Sequence, residues 1–202
     1  MGLDTYWRKR DFRKTPEPKG KAAKRARGGN SYVIQKHAAS RMHHDFRLEL
    51  DGVLKSWAVP KGPPLATREQ ALAVHVEDHP LEYGSFEGVI PKGEYGGGTV
   101  MLFDRGSWEP EGDARKALRD GKLTFRLDGE RLRGRWSLVR LNGKSSDGGK
   151  NWLLIKRSDP SAERSAPIPS PARSVASGRT MEEIADAADR VWSSRVGEVT
   201  KK

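Results

Sequence analysis

Five histidines, His37, His43, His44, His75 and His79, fall within 43 consecutive positions of a 202-residue chain whose other 159 positions have none. The residues around them are those of metal and phosphate chemistry. If MHHDFRLEL is a strand, its side chains alternate: His43, Asp45, Arg47 and Glu49 share one face, and His44, Phe46, Leu48 and Leu50 the other. The bland account is a surface strand of mixed charge, the commoner case for one strand alone. The stretch AVHVEDHPLEY repeats the alternation, with Ala73, His75, Glu77 and His79 on one face and Val74 and Val76 on the other. Two strands that each present a histidine and a carboxylate from one face are expected to line a single polar cavity in a small barrel.

Imidazole and carboxylate donors without sulfur suit Mn, Fe, Zn, Co or Ni. The expected ligands are His43 and Asp45, two positions apart on one strand face, with His37 a short loop away. Two histidines and one carboxylate leave open coordination positions, which a catalytic metal needs; a phosphate oxygen or a water would fill them. Arg47 shares the face, and its guanidinium fork suits phosphate; the alternative is a salt bridge to Glu49 or Glu77. His79 titrates near neutral pH and is expected to supply a proton or a hydrogen bond to phosphate. Glu77 reads as a partner that orients an imidazole, His75 as a satisfied core histidine, and His44 as packing. The glycine-rich VIPKGEYGGGTV lacks the spacing of a phosphate-binding loop, and is expected to form a tight turn into a strand, with Lys92 and Glu94 as minor contributors. The six tryptophans read as core and interface rather than as a base-stacking platform.

The elements that must position these groups are mostly short strands. Period-2 patterning predicts them over Ser31–Lys36, Asp45–Leu50, Val53–Val59, Ala71–Glu77, Thr99–Phe103, Lys122–Leu127, Arg135–Leu141 and Trp152–Lys156. Asp51-Gly52, Gly96-Gly97-Gly98, Asp128-Gly129 and Asn142-Gly143 separate them as turn-formers. LELDGVLKSWAV is a hairpin about an Asp-Gly turn, and one helix is expected around Asp113–Arg119. The fold class is mainly β: a compact, closed or nearly closed β-barrel of about eight strands, with one or two short helices and irregular tails. Three regions follow: a basic, mostly irregular N-terminal arm over 1–30, the barrel over 31–157, and over 158–202 a Pro/Ser-rich linker with a short amphipathic helix carrying Met181, Ile184, Ala188, Val191 and Trp192 on one side.

The net charge of +11 is uneven: residues 8–27 carry ten Lys or Arg against Asp11 and Glu17, a net +8. Such an arm attracts polyanions through counterion release, although a charge run also serves as a solubilising tail. There are no cysteines, which excludes disulfides and thiolate metal sites. No apolar run approaches the roughly 18 residues of a membrane span, and the N-terminus lacks the apolar core of a signal peptide. A soluble, cytoplasmic, monomeric protein is the expectation.

The strings YVIQKHAASRMHHDFRLELDGVLKSWAVPKGP, AVHVEDHPLEY and FEGVIPKGEYGGGTV resemble the 3′-phosphoesterase domain of bacterial DNA ligase D, and YWRKRDFRKTPEP resembles that family's arm. The resemblance implies a manganese-binding barrel, with Co2+ or Zn2+ as other metals, that removes a 3′-terminal ribonucleoside and then the 3′-phosphate in non-homologous end joining. It places His37, His43 and Asp45 as ligands, Arg47 and His79 on the phosphate, and Tyr83 as a further active-site residue. Gln35, Arg41, Lys61 and Glu77 then support the site, and Arg10, Asp11 and Glu17 are the arm residues used. Implied partners are primer–template 3′ ends, a ligase and polymerase, and Ku. Two positions depart: His44 stands where the family commonly has Tyr, and Ala71 where it often has a basic residue, with Arg68 as a compensating group. Two other function classes remain: a non-haem iron oxygenase, which shares the two-histidine, one-carboxylate set, and a non-catalytic barrel that binds single strands.

Overall fold

The computed structural model describes residues 2–20, 30–141, 148–159, 168, 170–187, 191–192 and 199–200. Nine strands form one antiparallel sheet: β1 (Ser31–Ala38), β2 (Met42–Leu50), β3 (Val53–Val59), β4 (Gln70–His75), β5 (Gly88–Ile90), β6 (Gly98–Pro110), β7 (Lys122–Gly129), β8 (Arg133–Arg140) and β9 (Asn151–Lys156). The order β1-β2-β3-β4-β9-β8-β7-β6 closes through a β6–β1 pairing, which makes an eight-stranded barrel with β5 outside it on β6. Helices are short: α1 (Asp4–Arg8), a 3-10 turn over Leu81–Ser85, α2 (Ala114–Asp120) and α3 (Met181–Ala187).

Local chemistry accounts for the joints. Asp51 and Gly52 both adopt positive φ, 57° and 76°. A two-residue hairpin between right-twisted strands demands that conformation, so β2 folds back onto β3. The Asp113 carboxylate caps α2 by accepting from the Arg115 and Lys116 amides at 2.9 and 3.1 Å. Gly121 closes the same helix in the left-handed region, at φ 84°. Thr180 and Glu183 cap α3 reciprocally. The Thr180 amide donates to the Glu183 carboxylate at 2.8 Å, and the Glu183 amide to Thr180 Oγ1 at 3.2 Å. At Gly98 a Cβ would lie 2.1 Å from the Ala38 carbonyl oxygen, so glycine alone lets β6 approach the end of β1.

Apolar side chains from all eight barrel strands converge on one cluster that includes Ile34, Phe46, Trp57, Phe125, Trp136 and Leu154. Trp57, Trp108, Trp136 and Trp152 belong to it, as a core reading of the tryptophans expects. His44 packs edge-on to Phe103 at 4.9 Å between ring centroids. His75 sits on Trp57 at 5.2 Å.

Several elements differ from their sequence expectations. β6 runs to Pro110, well beyond Phe103, because it pairs with β5 over 98–100, with β1 over 99–107 and with β7 over 106–110. β5 has only three residues, too few for alternation to register. The arm is not irregular throughout: α1 docks on the barrel, and Leu3 and Tyr6 join Val33, Leu54, Tyr83 and Ile90 in a second apolar cluster on the outer side of the sheet. Met181 and Ile184 of α3 are buried in the barrel cluster, whereas Val191 and Trp192 lie in a short strand, β10, paired with β11 (Val199–Thr200). Ala188, the Asn142-Gly143 turn, most of the Pro/Ser-rich stretch and arm residues 21–29 lie outside the described residues. No helix among those described is long and apolar enough to cross a membrane.

Burial, with Lys36 nearby, pushes the His44 imidazole down to about 4. The unfolded chain therefore takes up this proton at higher pH than the folded one. His44 thus contributes stability above about pH 6.5 that is lost as pH falls towards 4. Replacing His44 by Phe keeps an aromatic ring against Phe103 and removes the titration. Urea midpoints measured from pH 7 to pH 4 should fall less steeply in His44→Phe than in the wild-type chain.

Candidate active site

Cross-strand register brings the chemistry together. His37 pairs with His43, Gln35 with Asp45 and Val33 with Arg47 across β1–β2, while Asp45 faces Ala58 and Arg47 faces Ser56 across β2–β3. These side chains share the face of the second apolar cluster. The site therefore lies on the outer face of the barrel and not in a cavity within it, because the interior is already filled by Phe46, Trp57 and their neighbours. The docked arm, the 3-10 turn and the 91–97 turn roof that face, leaving a cleft of about 310 Å³.

His37 Nδ1, His43 Nε2 and an Asp45 oxygen lie within 4.8 Å of one another. Each imidazole has its other nitrogen committed. His37 Nε2 lies 2.8 Å from the Gly96 carbonyl oxygen and His43 Nδ1 lies 3.0 Å from that of Arg41. A carbonyl only accepts, so those nitrogens carry the protons and the neutral rings turn the lone pairs of His37 Nδ1 and His43 Nε2 towards Asp45. Asp45 Oδ2 is 3.6 Å from His37 Nδ1, 3.8 Å from His43 Nε2 and 3.2 Å from Arg47 Nη2. Burial alone would raise the Asp45 carboxyl, but the Arg47 guanidinium beside it holds it well below the usual carboxylate range. Two inward lone pairs and an ionised oxygen at this spacing fit a divalent transition metal.

Arg47 is 2% exposed and pinned on three sides. Its Nε donates to Gln35 Oε1 at 2.8 Å, Nη1 to Ser56 Oγ at 2.8 Å, and Nη2 meets Asp45. Neither Glu49 nor Glu77 is its partner: the Glu49 carboxylate bonds Ser31. Gln35, fully buried, donates from Nε2 to the carbonyls of Tyr83 and Phe86 at 3.0 and 2.9 Å, tying the strand to the roof. Tyr83 offers its ring face to the Arg47 guanidinium at 4.8 Å.

β4 ends at His75, and between it and His79 the chain inserts one extra residue opposite β3: His75 pairs with Trp57, yet His79 bridges Leu54. One residue of slip exchanges the two faces. Ala73 and His75 point to the barrel core, whereas His79 enters the cleft, so the shared face expected for Ala73, His75, Glu77 and His79 is not formed. His79 Nδ1 lies 2.9 Å from the Glu77 carbonyl oxygen, so it donates there and leaves Nε2 to accept from Arg10 Nη2 at 3.3 Å. Burial, with Arg47 and Arg10 beside it, holds this imidazole well below its ordinary pKa. In this geometry His79 Nε2 accepts from Arg10. Glu77 orients it through the backbone only; its carboxylate binds Lys9 at 3.1 Å and Arg10 at 3.3 Å.

The arm supplies a wall. Arg10 Nε meets Glu17 Oε1 at 2.7 Å, and Thr15 donates to the other Glu17 oxygen at 2.8 Å. Asp11 turns away to Arg13, and Lys61 is exposed at the end of β3; neither lines the cleft. Arg41 contributes its carbonyl while its side chain is exposed. Ala71 lies in β4 and Arg68 in the exposed loop before it, both outside the cleft lining. Ser56, Tyr95 and Gly96 are parts of the site that sequence reasoning missed. The register opposite Arg47 could have flagged Ser56; nothing in the glycine-rich pattern marks the carbonyl of Gly96.

Residues 35–140 match the model of the DNA Ligase D 3′-phosphoesterase domain. The chain is 58% identical over 160 residues to the multifunctional non-homologous end joining protein LigD of Pseudomonas aeruginosa, covering 78% of this chain and 19% of that protein. It is 50% identical over 141 residues to the multifunctional non-homologous end joining DNA repair protein LigD of Mycobacterium tuberculosis, covering 70% of this chain and 18% of that one. The chain thus spans about a fifth of the length of these curated relatives.

Gln35→Leu should cost about 2–4 kcal/mol in urea unfolding, since it strands two buried carbonyls and the Arg47 Nε proton. A loss below about 0.5 kcal/mol would show that Arg47 is held by other means.

Proposed function

The chain belongs to the DNA ligase D 3′-phosphoesterase domain family, and from that premise we propose that it is a metal-dependent phosphoesterase that trims DNA 3′ ends to a ligatable 3′-OH. The observation that carries this reading is the meeting of His37 Nδ1, His43 Nε2 and Asp45 beside a buried guanidinium in one cleft. His37, His43 and Asp45 would hold a divalent metal, manganese in the first instance and Co2+ or Zn2+ as substitutes. When bound, it would supply Lewis-acid neutralisation of phosphate charge.

The chain's own groups supply the rest. Arg47 has five N–H groups and three partners. Two N–H groups therefore remain to grip phosphate oxygens from a fixed position. Arg10, boxed by Glu17 and Glu77, brings a second guanidinium to the same cleft. His79 Nε2 accepts from the Arg10 fork and so fixes where that guanidinium points. Tyr83 walls off water behind Arg47.

DNA would approach from the barrel end where the 39–41, 60–62 and 91–97 turns meet beside His43. Arg41, Lys61 and Lys92 are exposed on those turns and would contact the phosphate backbone. By this reading the substrates are primer–template ends carrying a terminal ribonucleotide or a 3′-phosphate. The setting is bacterial end joining in the cytosol, with a ligase, a polymerase and Ku as partners.

The test is end-trimming of a labelled primer–template with one terminal ribonucleotide, and separately with a 3′-phosphate, in Mn2+ and in EDTA. Wild type should shorten the first and dephosphorylate the second only with metal, and His43→Ala should lose both by at least about a hundredfold. Salt-sensitive DNA binding with no trimming by any divalent metal would make the chain a binding module. Iron-dependent oxygen uptake would make it an oxygenase.

A further inference from the structure

Tyr95 stands out because it is 46% exposed in an otherwise closely packed site. It sits on the 91–97 turn, lines the cleft that holds the metal-ligand cluster, and precedes Gly96, whose carbonyl fixes His37. Its other contacts all go to the arm. Lys9 Nζ donates to the Tyr95 hydroxyl at 2.9 Å and lies 4.6 Å from the ring centroid, and the Arg10 guanidinium carbon lies 5.2 Å from the same centroid. On its other flank Arg10 is 4.0 Å from the ring centroid of Tyr6, which is fully buried with its hydroxyl donating to the Pro18 carbonyl at 2.6 Å.

Arg10 is therefore held in its plane by Glu17, Glu77 and His79, and bracketed by two aromatic rings, one fixed and one exposed. The in-plane partners set where the fork points. The two rings pack against the guanidinium, and of the two only Tyr95 is exposed. We infer that Tyr95 is a positioning residue, whose ring and hydroxyl clamp Lys9 and Arg10 so that Arg10 stays aligned for the phosphate of a DNA 3′ end. This rests on the phosphoesterase reading for its substrate, but the clamp itself is a property of the free protein. One short turn then sets two parts of the site, a metal ligand through Gly96 and a phosphate-gripping arginine through Tyr95.

Three variants test it: Tyr95→Ala, Tyr95→Phe and Tyr95→Leu. Because Tyr95 is exposed, all three should keep the wild-type unfolding midpoint and Mn2+ affinity. Deuterium exchange over residues 3–12 should speed by about tenfold in Tyr95→Ala, the equivalent of one cation–π contact. With saturating metal, KM for a 3′-phosphate primer–template should rise by about tenfold, with kcat within about twofold. Tyr95→Phe, which keeps the ring, should recover most of both effects, and Tyr95→Leu should not.

Exchange over 3–12 that is unchanged in Tyr95→Ala would overturn the clamp whatever the activity. Recovery by Leu equal to that by Phe would overturn the role of the ring. Faster exchange in Tyr95→Ala with a wild-type protein inactive on every 3′ end would sink the phosphoesterase reading and leave the clamp standing.

Discussion

A guanidinium and a carboxylate are buried side by side on the outside of a barrel, and most of the molecule's irregular structure follows from that. Arg47 and Asp45 lie two positions apart on β2, on the face turned away from the barrel core. Taking such a pair out of water is favourable only if each remaining proton and lone pair finds a partner. Gln35 and Ser56 answer for Arg47 from the two neighbouring strands, and Tyr83 covers its face. A strand pair open to solvent would not need this. The 3-10 turn, β5 and the arm exist over this face because something must exclude water from it.

The same logic explains why a strongly basic arm docks instead of trailing. Leu3 and Tyr6 give it an apolar footing. Arg10 is then buried between Glu17 from the arm and Glu77 from the barrel, so its charge is balanced where it is desolvated. The electrostatics divide accordingly. Arg10 is a structural and site charge, fixed at hydrogen-bond distance. Arg41, Lys61 and Lys92 instead stay exposed on the turns, outside the packed part of the site.

Much of the barrel and about half of the site were legible in the sequence. Period-2 alternation identified all eight barrel strands, and it put His43, Asp45 and Arg47 on one face because β2 is regular from end to end. Which side of the sheet that face would take was not legible. Alternation says that two faces differ; it does not say which one the barrel encloses when both are to be buried. The His79 face was lost to a single-residue bulge, which has no hydrophobic signature. Asp11 and Lys61, matched by the resemblance, lie outside the cleft lining, one against Arg13 and the other exposed. The backbone carbonyls that complete the site, from Gly96, Arg41 and Glu77, leave no mark in side-chain patterning.

Those carbonyls matter for how the site works. Each of the three histidines in the cleft has one ring nitrogen tied to a main-chain oxygen at 2.8 to 3.0 Å, and so each has a fixed tautomer. Backbone oxygens suit this task, because they stay neutral and cannot rotate away as a carboxylate can. An acidic partner would raise imidazole basicity but would also add a further negative charge to the cleft. The carboxylate beside the two ligand imidazoles is that of Asp45, which Arg47 offsets, while Glu17 and Glu77 in the same cleft are paired with Arg10 and Lys9. The three histidines are therefore each held in one orientation by the main chain, with the second ring nitrogen turned towards Asp45 or Arg10. That arrangement depends on turn geometry more than on side-chain identity, which is why the glycine-rich turn, silent in its own chemistry, belongs to the site.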